Sequence, residues 1–155
     1  MTSPVCVANT LILRARQHGS SLTHLKLQKL IYILYARYLA IAGEAMFPER
    51  FEAWEHGPVL SGIYQVFKDY GAEPIDGPVA GADGAVWVLV EDGEFGEALD
   101  QTWAAFGPLD PERLVELTHE EDSAWSHAKN EHGLGGFLGD MHIKQDGVRW
   151  FPGKA

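Results

Sequence analysis

The side chains with the most chemical potential stand together in Thr118-His119-Glu120-Glu121-Asp122, an imidazole followed by three carboxylates. Groups of these types make a general acid–base site of the kind a hydrolase or nucleotidyl-modifying enzyme uses. Cys6 with His56 or His119 would supply a thiol nucleophile and its base. His127 and His132 with nearby carboxylates would supply metal ligands. Each has a structural counter-reading. Cys6 sits among small and apolar residues, where a free cysteine behaves as an inert small hydrophobe. The histidine spacings are not the paired i, i+4 spacing of a helical zinc site, so neither a metal nor a cofactor is expected. Thr118 with Glu121 three residues on has the spacing of a capping box, which explains part of the acidic block without chemistry. Gly133-Leu134-Gly135-Gly136 has no preceding strand to make it a phosphate loop, and there is no Gly-x-Ser-x-Gly elbow. The expectation is a protein with no catalytic residues.

The elements that must position these residues are mostly helical. The 155 residues, 46% of them apolar, suffice for one core, and a single domain over 1–155 is expected. Ser3-Pro4 starts a helix running to about residue 18, and Thr23 caps a second that ends at Gly43. Leu27, Leu30, Ile31, Leu34, Tyr38 and Ile41 give the second helix a wide apolar stripe, and Ile33 and Leu39 lie off it, so it is expected to be the central core helix. Lys26, Gln28 and Lys29 read as its solvated face or as a polar strip at the rim of a binding surface. Phe51–Glu55 alternates apolar with polar and is broken by Gly57-Pro58, while Val86-Trp87-Val88-Leu89-Val90 reads as a strand. Further helices are expected over Ile63–Tyr70, Phe95–Phe106, Pro111–Leu117 and around Trp125 and His127, with residues 72–85 as a surface loop. The class is α+β, predominantly α-helical, with a central hydrophobic helix and a small strand element.

Charge and composition narrow the function. A formal net charge of −10 disfavours direct nucleic-acid binding, and it reads either as acidity that keeps the protein soluble or as a field that steers it towards a basic partner. No stretch nears the ~20 apolar residues that span a bilayer, and no leader pattern is present. The single cysteine fits a reducing compartment, so a cytoplasmic location is expected.

Three segments in series carry a family resemblance. They are Leu25-Lys26-Leu27-Gln28-Lys29-Leu30-Ile31-Tyr32, then Phe51-Glu52-Ala53-Trp54-Glu55-His56-Gly57-Pro58-Val59, then Leu114-Val115-Glu116-Leu117-Thr118-His119 running on to Trp125. In order and spacing they resemble the SocA-like antitoxin family, also called the Panacea domain, which includes phage-associated GepA-type proteins. The match covers about residues 5–130, with Ala124 standing where the family usually has proline and with a divergent tail. The resemblance implies an antitoxin that neutralises a protein toxin encoded beside it, by direct contact or by delivering the toxin to a protease. The binding residues expected from these blocks are Trp54, Glu55, His56, Thr118, His119, Glu120, Glu121 and Trp125. Leu27, Gln28, Lys29, Leu30, Gly57 and Pro58 are expected to shape the fold around them.

Overall fold

A computed structural model describes residues 1–154. The helices are α1 (Pro4–Gln17), α2 (His24–Ala42), α3 (Ser61–Phe67), α4 (Gly93–Phe106), α5 (Pro111–Thr118), α6 (Ala124–His132) and α7 (Asp140–Arg149). Strands β1 (Glu52–Trp54) and β2 (Gly57–Val59) form an antiparallel hairpin between α2 and α3. The first two helix starts follow their sequence signals. Ser3 accepts a hydrogen bond from the Cys6 N–H ahead of Pro4, and Thr23 accepts one from Lys26.

α2 is the axis of the molecule and packs against α1, α3, α4, α5, α7 and β2. Leu27, Leu30, Ile31, Tyr32, Ile33 and Leu34 are all fully buried, as expected of a helix apolar on more than one face. The helix most tightly applied to it is α7. A Cβ on Gly147 would stand 2.0 Å from the Ala36 carbonyl oxygen, so only glycine allows the two backbones to lie this close. The contact is sealed by Asp146, which is fully buried. Its carboxylate accepts hydrogen bonds from the Tyr32 hydroxyl (2.6 Å), the Ala124 N–H (3.1 Å) and Arg149 (2.9 Å). Burial pushes the Asp146 carboxyl up from the usual range, and these three donors act against that shift. The divergent tail is thus a docked helix tied to α2 and to the start of α6.

Two expectations are corrected here. Val86–Val90 is not a strand: among the described residues the sheet contains only β1 and β2, and the polar groups on the inner edge of the run are taken by α1. Asn9 donates to the Val79 and Trp87 carbonyls and accepts from the Val79 N–H, while the Thr10 hydroxyl accepts from the Leu89 N–H. These side chains pin the long connection 71–92 onto α1. The capping box at Thr118 is also absent. Thr118 is the last residue of α5 and donates to the Val115 carbonyl, and α6 is capped instead by Ser123, whose hydroxyl accepts from Ser126.

Candidate functional site

The candidate site is the hairpin turn and what holds it. β1 and β2 pair Glu52 with Val59, Ala53 with Pro58 and Trp54 with Gly57, leaving Glu55 and His56 as an exposed two-residue turn. On the outer side of β1, the glycine-rich tail supplies a further edge. The Ala53 N–H donates to Gly136, Gly135 donates to Ala53, and Leu138 donates to Phe51. The run Gly133–Gly136 therefore works as backbone alongside a strand, not as a phosphate loop.

The floor of the turn comes from α2. Gln28 both donates to the Leu60 carbonyl and accepts from the Leu60 N–H, at 3.0 and 3.1 Å. Lys29 has no solvent exposure, and its ammonium group donates to the Pro58 carbonyl at 2.8 Å. Burial pulls its pKa down to about 7. Lys29 also acts, after burial, to lower the pKa of His24. Gln28 and Lys29 are thus core struts and not a solvated face, which corrects the sequence reading. The signal for this was Ile33, four residues after Lys29 on the same helical face and already off the main stripe. Lys26 is half-buried, and it donates to the Gly107 carbonyl at 2.6 Å.

The wall comes from α5 and α6. Trp125 is buried and its indole N–H donates to the Trp54 carbonyl at 2.7 Å. The His119 ring lies 3.9 Å from the Trp125 ring, with one nitrogen 2.7 Å from the Val115 carbonyl and the other 2.9 Å from the Glu55 carbonyl. Neutral imidazole can donate to only one of these. With both ring nitrogens facing backbone carbonyls, His119 braces the turn. Gly57 closes the assembly at φ 108°, where an added Cβ would meet the Thr118 hydroxyl at 2.7 Å and Lys29 Cε at 2.9 Å. Glycine is required there on both conformational and steric grounds.

The expected binding residues separate by exposure. Glu55, His56, Glu120 and Glu121 are exposed, Trp54 and His119 are half-buried, and Thr118 and Trp125 are buried. Thr118 and Trp125 therefore pack beneath the surface and contribute little exposed area to it. Trp54 packs edge-on against Tyr64 at 5.0 Å, and Lys129 lies over the Trp125 ring at 5.3 Å. Cys6 lies in α1 and His56 in the hairpin turn, and among the described residues no three His, Cys, Asp or Glu side chains could hold a metal ion.

The three sequence blocks meet at one turn, and comparison with known proteins places the same blocks in one family. The family model described as "Antitoxin SocA-like, Panacea domain" matches residues 27–126, more than half of the chain. The chain belongs to this family. It is similar to Antitoxin SocA of Caulobacter vibrioides (strain NA1000 / CB15N), with 28% identity over 138 residues covering 86% of this chain and 73% of that protein. No solved structure matches it. The matched span runs from the start of the Leu27–Leu30 floor to the first turn of α6 and so contains the clamp on the turn formed by Lys29, His119 and Trp125, while the Gly133–Leu138 edge and α7 lie beyond it. The Ala124 N–H holds the Asp146 carboxylate, a bond that proline at this position could not make.

Proposed function

We propose that this SocA-like protein neutralises a protein toxin by direct contact through the surface around the Glu55–His56 turn. The observation that carries this reading is the combination of an exposed tip with an immobilised base. Glu55 and His56 stand clear, while the backbone on either side is held by Lys29 from below and by His119 and Trp125 from the flank. A loop fixed before binding loses little conformational entropy on binding, so its contacts convert more fully into affinity. Glu55 at the turn, with Glu120, Glu121 and Asp122 exposed on the α5–α6 connection that His119 ties to the turn, gives this face acidic groups suited to a basic toxin face. His119 serves here as a brace, in keeping with a binding protein and not a hydrolase.

The test is Glu120→Lys with Glu121→Lys in a protein first shown to fold normally, paired with the product of the adjacent gene. Association should slow, lose much of its salt dependence and rescue growth less well. Unchanged affinity and unchanged rescue would move the binding surface elsewhere. Measuring toxin abundance beside toxin activity separates steric neutralisation from delivery to a protease.

A further inference from the structure

The charge of this protein is not spread over it. From Asp69 to Glu112 there are eleven acidic residues and no Lys or Arg, half of the 22 acids in the chain. The remainder holds eleven acids against all 12 bases, so the net charge of −10 resides in this one segment. The segment covers the connection pinned to α1, then α4, then the start of α5. Arg14 reaches in from α1 to pair with Glu91 and Asp100, but Asp92 and Glu94 are exposed and make no ion pair among the described residues.

In the middle of this field lies Val86–Val90. The Trp87 carbonyl and the Leu89 N–H both turn towards α1, the i, i+2 pattern of one edge of an extended strand. The opposite edge is open: the backbone groups of Val86 and Val88 make no hydrogen bond among the described residues. The side chains are apolar and exposed, Trp87 to 64% and Val90 to 75%. Natural proteins blunt such edges with Lys, Pro or a covering element, and this run has none of them.

We infer that Val86–Val90 is a docking edge that takes an extended, β-branched segment of a basic protein partner by strand addition. Main-chain bonds to Val86 and Val88 would supply affinity, and apolar contacts at Trp87 and Val90 with the acidic surround would supply selectivity. The same field disfavours a second copy of this chain as the occupant, because each copy brings the same acids to the joint. This surface is separate from the hairpin turn and does not depend on the toxin-binding reading.

The probe is a synthetic peptide of alternating valine and threonine with two lysines at each end, added to the isotope-labelled full chain. The Val86 and Val88 amide resonances should shift, and their hydrogen exchange should slow at least tenfold. The same peptide with glutamates at its ends should bind at least tenfold more weakly. Val88→Pro, which removes an N–H that the free protein does not use, should abolish binding while the Leu89 amide resonance keeps its position. Should that variant fail to fold, N-methylation of alternate peptide amides must abolish binding instead. The Glu120→Lys, Glu121→Lys protein should bind the peptide unchanged. Shifts confined to other residues, or equal binding of the two peptides, would overturn the inference. So would a dimer of the unliganded chain that Val88→Pro dissolves, because the edge would then belong to a second copy.

Discussion

Phe51–Val59 and Val86–Val90 are both short, apolar-rich runs with strand character, and they end in opposite conditions. The first becomes a hairpin whose backbone is engaged on both sides, by its own return strand and by Gly135, Gly136 and Leu138. The second keeps one edge on Asn9 and Thr10 of α1 and leaves the other bare. The difference lies in where the partner groups are. β1 meets β2 across a two-residue turn, so pairing is local and its loop-closure cost small. Val86–Val90 has no strand nearby, and two α1 side chains already satisfy the groups that face inward. Strand character in a sequence therefore reports fitness for a ladder, and whether a ladder forms depends on an available mate.

The contrast can be broken most severely at Gly57. Gly57→Val adds atoms against Thr118 and Lys29 at a positive φ, and strain with overpacking should cost about 3 kcal/mol or more. Chemical denaturation should show a matching loss, and a midpoint near wild type would mean that the clamp is loose. Lys29→Met should act in the other direction. The desolvation cost of the buried ammonium outweighs its hydrogen bond to the Pro58 carbonyl, so an apolar side chain of similar length should stabilise the protein by about 1–3 kcal/mol near neutral pH.

The pH dependence has a definite sign, because the folded pKa of Lys29 is about 7 against 10.5 when exposed. Between these values the unfolded chain binds the extra proton, so wild-type stability rises with pH by up to about 1.4 kcal/mol per unit. Below about pH 7 both states are protonated, the contribution is flat, and the cost of burial is fully present. The advantage of Lys29→Met should accordingly shrink from pH 7 towards pH 10. An advantage that stays constant across that range would show that Lys29 titrates normally.

Smaller effects separate the flank of the hairpin from the open edge. Trp125→Phe keeps most of the buried volume and leaves the Trp54 carbonyl without its donor, which should cost about 1–2 kcal/mol and raise hydrogen exchange around the turn. Val88→Thr, with a side chain of similar shape on a surface free of internal bonds, should change stability by less than about 0.5 kcal/mol. A loss of several degrees in melting temperature would show that this edge is already covered within the chain.

Much of the site was legible before the fold. The serial blocks around Lys29, Trp54–Val59 and Thr118–Trp125 marked the residues that converge, and the alternation at Phe51–Glu55 marked the first strand, whereas Gly57-Pro58, read as a break, begins the return strand. What was not legible was the side of the surface each residue serves. Lys29 and Gln28 are polar by type, and only the backbone groups of Pro58 and Leu60 at the end of each side chain allow them into the core. Trp125 and Thr118 belong to the same block as Glu120 and Glu121, yet they face inward because α5 ends at Thr118 and α6 begins only after Ser123.

Local sequence determined the helices before the tail, because caps, periodicity and the Gly and Pro breaks act within a few residues of where they stand. It likewise determined that α2 is central, since a helix apolar on several faces has nowhere else to go. Tertiary structure alone decided which polar groups are buried, that α7 docks through Gly147 and Asp146, and that Val86–Val90 lacks a mate. Those outcomes depend on hydrogen-bond partners 22 to 114 residues away in the chain. No local pattern carries that information, because a donor or acceptor does not specify its distant partner.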